Sequence, residues 1–136
     1  MTDQVLHPDL TDRQKADLFE EGIAHFNSGR FFEAHEPWEE IWRSTNPEPR
    51  DFYQGLVQVA AGLHIWFARA KCEPAARVLD RGLGRLRALE SADLGIDIAA
   101  LVAGLEPWQA WLESQKGPAP MTTPTIRRRT ERPGPQ

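Results

Sequence analysis

The chain has 136 residues, 40% of them hydrophobic and 26% charged, with a formal net charge of −4, the balance of one ordinary globular domain with its own core. A single cysteine, Cys72, excludes an internal disulfide framework and a cysteine-based zinc knuckle, and no stretch approaches the run of about 18 apolar residues that a membrane span needs. Residues 117–136 hold four arginines against Glu131, a net of +3, while the rest of the chain holds twelve basic and nineteen acidic side chains, a net of −7. An acidic body repels phosphate backbones, so no nucleic acid is expected as a partner. The start, Met1-Thr2-Asp3-Gln4, has neither a basic nor an apolar targeting run, and the expected location is cytoplasmic.

In chain order, residues 1–10 read as an irregular lead-in. Thr11-Asp12-Arg13-Gln14 is a T-x-x-Q capping box that opens the first helix. Phe19, Ile23 and Phe26 give that helix an apolar face, and Asn27-Ser28-Gly29 ends it. The second helix is expected over about Phe31 to Arg43. Pro37 lies inside it, removing the hydrogen bond to the carbonyl of Glu33. Ser44 to Pro49 is a loop. The third helix, about Asp51 to Lys71, is apolar almost all round, the mark of a central helix. Glu73-Pro74 starts the fourth, buried through Leu79, Leu83 and Leu86. Asp97 caps a short helix through Leu105, and Glu106-Pro107 opens a last one carrying Trp108, Trp111 and Leu112. After Lys116, proline, glycine and the arginine cluster predict a disordered tail over residues 117–136. No segment reads as a strand. The expected fold is all-α: a single-domain bundle of five or six helices over residues 1–116, with helices two and three as its core antiparallel hairpin.

One helix face departs from ordinary patterning. At 100° per residue from Phe31, Trp38 and Trp42 fall within about 20° of it, His35 at about 40° and Glu39 at about 80°. Glu33, Glu36 and Glu40 lean the other way. Ionisable groups on a core-facing side cost free energy unless something satisfies them. On the third helix Gln54 and Gln58 lie in one narrow polar strip, flanked by Ala61 and Gly62, where another backbone can come close. Facing residues of an antiparallel hairpin have position numbers of nearly constant sum. Glu39 with Gln54 and His35 with Gln58 both sum to 93, so one register brings both pairs level.

The run from Phe26 to Trp42, containing Phe31-Phe32-Glu33-Ala34-His35-Glu36-Pro37-Trp38-Glu39, followed by Tyr53-Gln54-Gly55-Leu56-Val57-Gln58, resembles the family catalogued as domain of unknown function 309. The resemblance covers about residues 15–90. It implies a small all-helical protein in which His35, Glu36, Glu39, Trp42, Gln54, Gly55 and Gln58 occupy signature positions. No activity comes with it.

Three readings of the cluster follow. His35 and Glu39, with His64 as a weaker third donor, can chelate a divalent metal ion or hold a small polar ligand. The string His35-Glu36-x-x-Glu39 differs from the H-E-x-x-H zinc helix in its last position. A glutamate beside a histidine can also move protons, although no strained nucleophile or phosphate loop accompanies it. The third reading is a non-catalytic helical interaction module that docks a protein partner through Trp108 and Trp111 on the last helix. There His35, Glu39, Gln54 and Gln58 are a structural hydrogen-bond network fixing the register of two helices. Homo-oligomerisation is compatible with a bundle of this size. The functional expectation is a buried His/Glu/Gln cluster that binds a metal ion or small polar ligand, with the interaction module as the alternative.

Overall fold

The first helix begins where its capping box places it: Thr11 Oγ1 accepts from the Gln14 amide at 3.0 Å, and the Thr11 amide donates to Gln14 Oε1 at 2.9 Å. The computed structural model describes residues 9–129, and over these the chain forms five helices: α1 (Asp12–Asn27), α2 (Phe31–Trp42), α3 (Arg50–Arg69), α4 (Cys72–Arg87) and α5 (Ile98–Ser114). Among the described residues there is no β-strand; a lone antiparallel bridge joins Ile96 to Arg128. Each helix packs on the next in the chain, and the most extensive contact is α3 on α4.

Close helix approach in this bundle depends on glycines that leave room for a neighbour. A Cβ on Gly62 of α3 would lie 2.8 Å from the Leu79 amide nitrogen of α4, and one on Gly82 would lie 2.8 Å from the Val59 nitrogen and 2.9 Å from the Gly55 carbonyl oxygen. The pairs Gly55–Leu86, Val59–Gly82 and Gly62–Leu79 all have position numbers summing to the same value, the signature of one antiparallel register. Leu79, Leu83 and Leu86 fill that seam and are wholly buried. The α1–α2 pair uses the same device once. A Cβ on Gly22 would sit 2.1 Å from the Trp38 indole nitrogen, and that indole donates to the Phe19 carbonyl at 3.2 Å.

α2 and α3 form the expected antiparallel pair, with Phe31 against Phe67 at 5.5 Å and Phe32 against His64 at 5.2 Å between ring centroids. Two other expectations are corrected. The helices anticipated on either side of Glu106 are one continuous helix, α5, with Pro107 inside it. The proline frees the Ala103 carbonyl, but Ala103, Gly104 and Pro107 are all exposed, so water can satisfy the freed group without a break. The disordered tail is corrected for residues 117–129; residues 130–136 lie outside the described residues. Ile126 is buried, and its backbone is gripped by the Asn27 side chain: Nδ2 donates to the Ile126 carbonyl at 2.9 Å and Oδ1 accepts from the Ile126 amide at 2.7 Å. Composition alone misses this because one aliphatic side chain and a ladder of backbone bonds suffice to seat an extended strap on a preformed body.

The same two-way amide grip holds Leu10, at the other end of the described residues. Asn46 Nδ2 donates to the Leu10 carbonyl at 2.8 Å, and its Oδ1 accepts from the Leu10 amide at 3.0 Å. An asparagine amide presents a donor and an acceptor side by side, as a peptide group does, and so can stand in for a neighbouring strand.

Two stability predictions follow from this packing. Gly62→Ala is expected to lose about 1–3 kcal/mol by overpacking against α4. Gly84→Ala, where a Cβ meets nothing within 4 Å, is expected to gain about 0.5–1 kcal/mol from helix propensity. Urea denaturation checks both. Tyr53 is buried beside Phe19 and Phe52, and that burial raises its phenol above the ordinary value of 10.0. Folded Tyr53 thus keeps its proton at a pH where the unfolded chain has lost it. The phenol has no effect on stability below about pH 10 and lowers it as pH rises from there through the folded value. Tyr53→Phe is expected to show a smaller loss than wild type as pH rises above about 10 in the same denaturation measurement.

Candidate functional site

His35, Glu39 and Trp42 stand on one side of α2 because positions four and seven apart return to the same helix face. His35 Nε2 lies 3.2 Å from Glu39 Oε1, and Arg43 reaches the other carboxylate oxygen at 3.3 Å. The carboxylate is therefore flanked along the helix by an imidazole and a guanidinium. The side chains are partly open: 22% exposed for His35 and 27% for Glu39. A pair of this kind contributes about 0.3–0.5 kcal/mol, enough to orient the groups and too little to hold the fold. Two buried atoms here have no hydrogen-bond partner, His35 Nδ1 and the Trp42 indole nitrogen.

The structure keeps His35 with Glu39 and draws Gln58 to a different neighbour. Gln58 Oε1 accepts from Arg85 Nε at 3.1 Å, and the same guanidinium donates to Asp51 at 3.2 Å. Gln58 thus belongs to an α3–α4 network. Gln54 is half-buried on the same strip. The reason is rotational. α3 meets α2 through His64 and Phe67, which lie about 120–180° around the helix from Gln58. The glycine seam that turns toward α4 lies only about 40–60° from it. The register differs as well: Phe31 meets Phe67 and Phe32 meets His64, position sums of 98 and 96 in place of the expected 93. The expected buried His/Glu/Gln cluster is therefore not closed: the half-open His35–Glu39 pair and the half-buried Gln58 belong to different helix interfaces. Glu36 is exposed on the outer side of α2. Gly62 does admit a close backbone, as its place beside the strip suggested, but the backbone is that of α4.

His64 is half-buried at a rim, and its ring and that of His35 both lie against Phe32, at 5.2 and 5.6 Å. Among the described residues no three histidine, cysteine, aspartate or glutamate side chains are grouped to hold a metal ion. Phe32 and Phe67 are 46% and 49% exposed and, with His64, line one shallow groove between the start of α2 and the end of α3. Phe67 also rests on Trp108 at 5.1 Å; Trp108 is buried and Trp111 half-buried, so the expected docking through these two is corrected: they pack on the body of the protein.

Sequence reasoning missed several polar residues that the fold uses. Gln109 is buried between α5 and α4, donating to the Ala76 carbonyl at 3.1 Å and to Glu113 at 2.6 Å. Asn27 and Asn46 looked like turn residues, and no local pattern marks an asparagine that grips a segment distant in sequence. Phe32 lies about 100° around the helix from Phe31, and its exposure depends on where α3 ends.

Two donors on one helix face fall short of the three or four protein ligands that zinc takes. Untagged protein is expected to carry well under one equivalent of zinc, manganese or iron by elemental mass spectrometry, with a melting temperature unmoved when these ions are added. Near-stoichiometric metal that disappears in His35→Ala would reverse that expectation.

Comparison with known proteins agrees with the motif reading. Residues 19–78 match the family described as domain of unknown function DUF309. An uncharacterised protein of Aquifex aeolicus (strain VF5) is 31% identical over 94 residues, which is 68% of this chain and 28% of that protein. The chain thus spans under a third of that relative's length. No solved structure matches the chain. The matched segment runs from the middle of α1 to the first half of α4 and contains His35, Glu39, Trp42, Gln54 and Gln58; over residues 19–78 the chain is similar to that family.

Proposed function

We propose that the protein is a non-catalytic helical interaction module whose docking face is the aromatic ledge of Phe32 and Phe67. One observation carries this reading. Among the described residues, these two and Met121 are the exposed large hydrophobic side chains, and only the two phenylalanines share a groove. Exposed aromatic rings side by side on rigid helices are what a partner's apolar side chain needs for anchoring. Arg30 and Glu33 stand at the rim of the same groove and supply the charged border that gives such a contact its orientation. The occupant is an apolar side chain presented by a partner protein. His35, Glu39 and Arg43 form a polar string along α2 beside the ledge and set its edge.

A second reading, a small polar ligand at His35, Glu39 and Trp42, has one observation in its favour. The buried His35 Nδ1 and Trp42 indole nitrogen lack partners, and a ligand oxygen could satisfy either group.

The experiment is in-cell cross-linking of the full-length chain, comparing wild type, the double variant Phe32→Ala/Phe67→Ala and Met121→Ser as an exposed control. The double variant is expected to lose about 1 kcal/mol per ring and stay folded, while cross-linked species present in wild type and Met121→Ser disappear. An unchanged set of cross-linked species in a folded double variant would defeat the ledge reading. If His35→Ala alone abolished them, the polar string would be the contact instead.

A further inference from the structure

The strap over residues 117–129 lies beyond the family match and is held in a manner that does not depend on its being part of the same chain. Its main chain pairs with the α4–α5 connection: the Asp97 amide donates to the Arg127 carbonyl at 2.8 Å and the Arg129 amide to the Gly95 carbonyl at 3.2 Å. The Asn27 amide grips Ile126 from the other side. These are the contacts of an added strand, in which backbone bonds supply affinity and alternate side chains supply selection. Selection here has two parts. Ile126 is 4% exposed, and the arginines after it meet acidic groups, Arg128 with Glu20 and Arg129 with Asp93. We infer that the cleft between the end of α1 and the α4–α5 connection is a docking site for an extended aliphatic–arginine segment, filled in cis by Pro124–Arg129 and able to take the same segment from a second copy of the chain.

The tether makes exchange feasible. Between the end of α5 at Ser114 and Pro124 lie residues 115–123, tied to the body by two indole hydrogen bonds, Trp111 to the Gly117 carbonyl and Trp108 to the Thr122 carbonyl, each 3.0 Å. Met121 is 97% exposed. Extended, such a tether spans about 30 Å, the breadth of a small domain. Charge favours the same pairing between copies as within one, since residues 117–136 carry +3 and the rest of the chain −7. A tethered segment competes at an effective concentration on the order of millimolar. The cis arrangement therefore dominates in dilute solution, and exchange appears when the cis grip is weakened.

A complementation experiment tests this with full-length chains. Ile126→Ser weakens the strap and leaves the cleft intact; Asn27→Ala/Glu20→Lys weakens the cleft and leaves the strap intact. Sedimentation is expected to show each alone as a monomer and a 1:1 complex on mixing. A labelled peptide of residues 120–129 is expected to bind Ile126→Ser about tenfold or more tightly than wild type, because no cis competitor fills the cleft. If Ile126→Ser does not fold, Arg128→Glu/Arg129→Glu, altered only at exposed positions, takes its place. Folded variants that form no complex and bind no peptide would overturn the inference. Peptide binding without a complex would overturn the second copy as occupant, and equal peptide binding to wild type would mark the contact as non-specific.

Discussion

The close approach of α3 to α4 governs the arrangement of everything around them. Gly62 on one helix and Gly82 on the other let main chains meet where any side chain would collide, and Gly55 lets Leu86 come close. Burial on both flanks of that seam then follows, with Leu56, Val59 and Leu63 answering Leu79, Leu83 and Leu86. Because such contact tolerates little rotation, it sets which way every residue of α3 points. His64 and Phe67 are left to meet α2, and Gln58 is carried to Arg85.

Around that pair the other elements attach by more local means. α1 joins α2 through the Trp38 indole lying over Gly22. α5 joins α4 through apolar burial and the Gln109 bridge to the Ala76 carbonyl. Extended segments at both ends of the described chain are fastened by asparagine side chains that imitate a neighbouring peptide group. An amide grip of this kind satisfies backbone groups that would otherwise face a largely apolar surface, which is how segments with little side chain to bury become ordered.

These constraints shape the proposed docking surface. With α3 rotated toward α4, its α2-facing side ends in an imidazole and a phenyl ring, and the start of α2 adds Phe32. The outcome is an aromatic ledge next to a polar string rather than a closed polar chamber. His35 and Glu39 remain paired because their proximity needs only the helix that carries both. Their partial exposure leaves them available at the margin of the ledge.

Much of the fold was legible in local chemistry. The capping box at Thr11, the stop at Ser28 and Gly29, the loop through Pro47 and Pro49 and the proline in the first turn of α4 each act within a few residues, so reading them requires no tertiary information. The same holds for the His35–Glu39 pair and for the apolar faces that define an all-α bundle. What the tertiary structure alone decided are the relations between distant segments: the rotation of α3, the destination of Gln58, the exposure of Phe32 and Phe67, the unbroken course of α5 through Pro107, and the seating of Ile126 beside Asn27. Helical periodicity states which residues share a face. It does not state which neighbour that face will meet, because that depends on where two backbones can approach most closely, and here two glycines made the choice.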